Sequence, residues 1–154
     1  MQRNILFSIC AALAMTILFA SCRKDDIQTK PRVELMDIDK QEVPHGGLIR
    51  MNLKAFDKES DVVELWMIPT AKGCTVPGEE DQYVFDVPRY TAPAGEGVEI
   101  EVTMSNGVSS AYALYPRYCI GSTDTTTFKI WVVDGEGNHS DTISTPQPFY
   151  IRSS

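Results

Sequence analysis

The chain is expected to be all-β, an antiparallel sandwich of about seven strands in two sheets. Three observations lead there. Apolar and polar residues alternate in segment after segment between residues 32 and 152, which is the period of a half-buried strand. Gly, Pro, Asn and Asp, the residues that make turns, stand between those segments. No run of helical period interrupts them.

Taken in chain order, residues 33–38 read as a first, weak strand. Leu48-Ile49-Arg50-Met51-Asn52-Leu53-Lys54-Ala55-Phe56 is clearer, with Ile49, Met51, Leu53 and Ala55 on one face and Arg50, Asn52 and Lys54 on the other. Residues 62–68 follow, with Val63, Leu65 and Met67 expected inward and Glu64, Trp66 and Ile68 outward. Residues 83–88 are a weaker strand, and Val98-Glu99-Ile100-Glu101-Val102-Thr103-Met104 alternates cleanly within 97–104. In 127–134, Phe128, Ile130 and Val132 share the inner face, leaving Lys129, Trp131 and Val133 outside. The last strand, 147–152, turns Tyr150 and Arg152 outward.

Before these strands comes a different kind of chain. Met1-Gln2-Arg3 is a short basic start, and Ile5 to Ala20 is apolar apart from Ser8 and Thr16. A run of that length falls short of the roughly 20 residues of a spanning helix and reads as a secretory signal over residues 1–21. Its ending, Leu18-Phe19-Ala20-Ser21-Cys22, resembles a bacterial lipobox. The resemblance implies a lipid on Cys22 as the first mature residue, and several acyl chains there would anchor the protein stably. Cys10, behind bulky Ile9, does not fit the pattern. The alternative is plain secretion. Arg23-Lys24-Asp25-Asp26 resembles the export signal of Bacteroidetes-type lipoproteins, which implies the outward face of the outer membrane; a periplasm-facing anchor is the alternative. Residues 22–31 are then a lipidated Cys and polar tether ending at Pro31, and 32–154 the folded domain.

The charge pattern excludes more than it assigns. There are 14 Lys and Arg against 21 Asp and Glu, net −7. Arg3 is the one charged residue among the first 21, so the remainder is net −8. An acidic body with no basic cluster argues against nucleic acid as a partner.

The closing stretch is the most specific. A strand running to Asp134, a Gly135-Glu136-Gly137-Asn138 turn and Ser140-Asp141-Thr142-Ile143 resemble the final hairpin of small Bacteroidetes surface lipoproteins with an immunoglobulin-like or fibronectin-like domain. Phe56-Asp57-Lys58-Glu59-Ser60-Asp61 resembles their B–C turn. The resemblance covers about residues 32–152, implies an immunoglobulin-like fold, and carries no catalytic motif. In that topology Cys74 follows strand C and Cys119 precedes strand F, so the two fall at one pole. A disulfide between them closes 44 intervening residues and adds about 3–4 kcal/mol in the chain-entropy model.

Three sets of residues are candidate sites. At the other pole Asp57, Glu59, Asp61, Asp134, Glu136, Asn138 and Asp141 offer the oxygen ligands a hard cation such as Ca²⁺ takes. They complete no EF-hand loop, and Asp and Asn are turn formers in their own right, so a solvated acidic turn and no cofactor is the expected reading. Trp66, Trp131 and Tyr150 share one outer sheet face if the parity holds, a pattern that marks partner surfaces. Competing readings are a one-residue slip that buries Trp66, a cover from residues 105–126, and simple cross-strand pairing. Tyr112, Tyr115 and Tyr118 suit recognition of a glycan or protein, or a short helical turn packed on the core and broken at Pro116. His45 and His139 fall at opposite poles, and His139-Ser140-Asp141 is no triad, because neighbours in a hairpin do not line up nucleophile, base and orienter. A non-enzymatic, lipid-anchored envelope module that binds a ligand is expected. The alternatives are a structural subunit of an envelope complex and a glycan-binding accessory protein, with hydrolase last.

Overall fold

The computed structural model describes residues 30–72, 81–93, 96–107, 111–116, 118–119 and 121–153. These residues form ten strands: β1 (Arg32–Ile38), β2 (Glu42–Val43), β3 (Leu48–Phe56), β4 (Val62–Lys72), β5 (Tyr83–Asp86), β6 (Val98–Ser105), β7 (Ala113–Leu114), β8 (Asp124–Asp134), β9 (Ile143–Ser144) and β10 (Phe149–Ile151). Among the described residues there is no α-helix, and none long and apolar enough to cross a membrane. The strands form two sheets. One has the order β1-β3-β6-β7, the other β2-β10-β8-β4-β5 with β9 on the flank of β8. Neighbours are antiparallel except β2–β10 and β6–β7.

The all-β class therefore holds, with ten strands in place of about seven. The three additional strands are two residues each and pair only locally, β2 with β10, β7 with β6 and β9 with β8. Two residues have no period, so alternation cannot reveal them.

One core lies between the sheets. Ile49, Met51, Leu53 and Ala55 of β3 and Val102 and Met104 of β6 meet Leu65 and Met67 of β4, Phe128, Ile130 and Val132 of β8, and Phe149 and Ile151 of β10. Each buried aliphatic or aromatic side chain contributes roughly 1.5–3 kcal/mol of transfer free energy. Phe128 sits at the aromatic centre, edge-on to Phe149 at 5.4 Å and to Tyr115 at 6.2 Å.

Four sequence expectations need correction. In β4 the inward residue is Val62, 1% exposed, whereas Val63 is 37% exposed. A bulge causes this: Val62 pairs with Asp134 and Glu64 with Val133, leaving Val63 as the extra residue. The parity from Glu64 onward is unaffected. Strand β4 also runs through Pro69 to Lys72. Its ladder with β5 ends at Met67↔Tyr83, so Pro69 lies beyond that ladder, opposite Phe128 on the other side, a position proline tolerates. Val133 keeps its outward side, opposite Glu64 and in step with Trp131, but is buried there, where His139 bridges to it. The helical turn offered for Tyr112, Tyr115 and Tyr118 is absent among the described residues there, which hold strand β7 and irregular chain.

The final hairpin has two parts. Strand β10 pairs with only the first three residues of β8, Asp124 to Thr126. Beyond them the 139–145 segment takes over the same flank. Ser140 N–H donates to Val132 O while its hydroxyl accepts from Val132 N–H, and Thr145 does the same for Phe128. Ser140 and Thr145 are buried, so their hydroxyls satisfy backbone groups that would otherwise be orphaned.

Candidate functional site

Trp66 of β4 and Trp131 of β8 are directly paired across the ladder. Both project from the outer face of the sheet, because Leu65, Met67, Ile130 and Val132 beside them point into the core. Their rings stack at 5.7 Å with 20° between planes. Glu64, two residues along the same face, accepts the Trp66 Nε1–H at 2.7 Å and fixes that ring. The pair is half-buried and forms the floor of a shallow depression of about 240 Å³, rimmed by His139, Ser140 and Thr142. Parity in the sequence places the two tryptophans together. It gives no sign of the rim, which exists because the 139–145 segment folds back along β8.

Tyr150 shares this face but not this place. It pairs with Thr125, six residues along β8 from Trp131, a separation of about 20 Å. It stands exposed and alone of the three at the far end.

The tyrosine segment divides. Tyr115 is 1% exposed and packs edge-on against Tyr118 at 5.7 Å. Burial pushes the hydroxyls of both above the usual tyrosine range. Tyr115 is a core residue and Tyr118 is half-buried beside it; only Tyr112 is well exposed. Tyr112 borders a groove of about 650 Å³ between Phe85–Tyr90 and β6. The buried carboxylate of Asp124 holds the segment's end by accepting Tyr118 N–H at 2.8 Å and Cys119 N–H at 2.6 Å. Cys119 is disulfide-bonded. Cys74, its expected partner, lies outside the described residues, as do Cys22 and the whole of residues 1–29.

At the opposite pole the chain enters beside Phe56, where Arg32 pairs with it and lies over its ring at 4.4 Å. Here the turn after β3 meets the turn after β8. Asp57 Oδ2 accepts Glu59 N–H at 2.9 Å, and Ser60 takes a left-handed φ of 58° to close the turn. Asp134 Oδ1 accepts the N–H groups of Glu136 and Asn138, and Oδ2 accepts Asn138 Nδ2 at 2.9 Å. Gly135 N–H donates to Asp61 O at 2.9 Å. A Cβ at Gly135 would lie 2.8 Å from Asp61 Oδ2, so a larger residue there would displace the Asp61 carboxylate.

The result is a cluster of Asp57, Asp61 and Asp134 with carboxylate oxygens within 4.8 Å of one another. Asp57 and Asp134 are buried and cap the N–H groups of their own turns, so the expected solvated acidic turn holds for Glu59, Glu136 and Asp141 but not for these two. Glu59 and Asp141 are exposed and stand outside the cluster, Asp141 pairing with Lys30. Asp61 is pushed up to about 6, first by burial, then by a hydrogen bond to Asp57, then by the charges of Asp57, Asp134 and Glu59. The Tyr90 hydroxyl, buried nearby, is raised chiefly by burial and also by Asp57 and Asp61. His139 lies at this pole. His45 lies at the other, against Gly107 and next to Asn106, whose Nδ2 donates to Val43, Pro44 and Arg152 carbonyls. Sequence reading passed over Asn106, since nothing local distinguishes a corner residue that ties three strand ends.

No family model and no curated protein matches the chain. Among solved structures it is similar to the alkylpurine DNA glycosylase AlkC of Pseudomonas fluorescens bound to DNA containing an abasic site analog, with a TM-score of 0.44 and 12% identity. The likeness covers 81% of this chain and 31% of that one. The chain thus spans about a third of that protein's length, and a likeness of this size carries no argument about function.

Proposed function

We propose that the protein is a lipid-anchored envelope binding module with its ligand surface at Trp66 and Trp131. The observation that carries this is the stacked pair itself, held by Glu64 on an outer sheet face and rimmed by His139, Ser140 and Thr142. Indole rings beside the exposed Thr142 hydroxyl and His139 imidazole suit a sugar ring, whose axial C–H face is apolar and whose hydroxyls point sideways. The Ser140 hydroxyl is taken by Val132 N–H and Asp141 O. The fold, on this reading, is an immunoglobulin-like sandwich of the fibronectin kind: β1, β3 and β6 are its A, B and E strands, and β10, β8, β4 and β5 its G, F, C and C′. Residues 1–21 are the signal, Cys22 carries the lipid, residues 22–31 are the tether, and Cys119 pairs with Cys74.

The decisive experiment is a glycan array probed with the wild-type protein and with Trp131→Ala. Retention of a glycan class by the wild type alone supports the reading. Retention that survives the substitution sinks it. A structural subunit of an envelope complex is the competing reading, and it predicts a crosslinked protein partner with no glycan retained. Palmitate labelling lost in Cys22→Ala, with protease sensitivity on intact cells, tests the anchor and its outward face; labelling that survives the substitution removes the anchor.

A further inference from the structure

We infer that Asp57, Asp61 and Asp134 form a binding site for a divalent cation of the calcium class, which would clamp the β3–β4 turn to the β8–β9 turn. The three carboxylates come from two turns on different strands and bring oxygens within 4.8 Å of one another. Two ligands on opposite sides of Ca²⁺ stand about 4.6–5.2 Å apart, so one ion reaches all three; Mg²⁺ dehydrates reluctantly and is less suited to a site built of three protein carboxylates. The donor set is all oxygen, which selects a hard cation over zinc or copper.

A second observation is independent of the clustering. Asp57 is 9% exposed, and its Oδ1 is buried with no hydrogen-bond partner. The backbone donors serve the other oxygen, Oδ2. A buried carboxylate oxygen without a donor is rare, and marks a place where an ion or other group belongs. No cationic side chain fills the role: among the described residues the ion pairs are Lys30–Asp141, Arg32–Glu34 and Arg152–Glu42. With three protein carboxylates and water completing the shell, affinity in the range of extracellular calcium modules is expected, Kd on the order of 10⁻⁴–10⁻³ M. The site is separate from the tryptophan pair, so its failure leaves the binding reading standing.

The test is the thermal midpoint of the purified protein stripped with EDTA, then given CaCl₂, MgCl₂ or NaCl at matched ionic strength. At about 10 mM, Ca²⁺ is expected to raise the midpoint by about 5 °C, more than Mg²⁺ does and clearly above the NaCl control. Asp57 and Asp134 organise their turns, so their variants risk misfolding. Asp61→Asn is the informative variant, because among the described residues the backbone donors of the two turns go to Asp57 and Asp134 and not to the Asp61 side chain. It is expected to keep or exceed the wild-type midpoint in EDTA and to lose the calcium shift. A calcium effect no larger than that of NaCl, or a shift retained in full by Asp61→Asn, overturns the site; the first outcome means that a shared proton alone relieves the carboxylates.

Discussion

At Asp61 one carboxyl meets the charges of Asp57, Asp134 and Glu59, and its folded pKa rises to about 6 from 3.8. For an acid raised on folding, the folded state holds the extra proton. Asp61 thus favours folding fully below about 3.8 and loses that contribution as pH rises through about 6. In EDTA, the stability of Asp61→Asn relative to wild type should therefore increase between pH 5 and pH 7.5; a difference that does not change with pH would contradict the assignment. Asn106 makes a simpler case. It is fully buried, and its amide donates to three carbonyls, those of adjacent Val43 and Pro44 and that of distant Arg152. Asn106→Ala takes this donor from Arg152 O and leaves Val43 O and Pro44 O with only their backbone donors, and should cost about 2 kcal/mol in urea unfolding. A loss under about 0.5 kcal/mol would place the amide outside the stabilising network.

At the scale of the strand, β3 was fully legible because one face is core and the other solvent for nine residues without a break. Strand β4 was legible only from Glu64 onward. The bulge at Val63 is set by how Val62 seats against Asp134, and nothing in Asp61-Val62-Val63-Glu64 announces which valine turns inward. The swap is measurable. Val62→Ala should cost about 2 kcal/mol from lost burial and cavity, and Val63→Ala less than about 0.5 kcal/mol. Equal costs would mean the bulge is misplaced. The tryptophan pair follows from the same parity, since Trp66 and Trp131 sit on uninterrupted stretches that alternate in step. The rim of His139, Ser140 and Thr142 was not legible, because the segment holding it pairs with β8 through Ser and Thr hydroxyls as well as backbone. At Tyr115 the reading of a tyrosine packed on the core holds, since Phe128 and Tyr118 draw it inward, but the helical turn offered to carry it is absent.

Over the whole molecule, two poles divide the labour. One holds the corner of Asn106, the Asp124 anchor and the disulfide-bonded Cys119. The other receives the incoming chain beside Phe56 and gathers the three aspartates. The aspartate types were visible in the sequence; their burial was not, because it depends on two turns far apart in the chain meeting at Gly135. If Cys119 is joined to Cys74, reduction should lower stability by about 3–4 kcal/mol, and Cys74→Ser should leave the protein no further sensitive to reductant. The tryptophan pair lies on the open sheet face between these poles, nearer the aspartates: Trp131 is three residues before Asp134, about 10 Å along the strand. The central claim is that this pair binds the ligand. The most direct measurement is the glycan-array affinity of wild type against Trp131→Ala, with folding of both checked by thermal melting. The account predicts at least one retained glycan class and a loss of about tenfold on removing the ring; an array that retains nothing, or an affinity unchanged by the substitution, contradicts it.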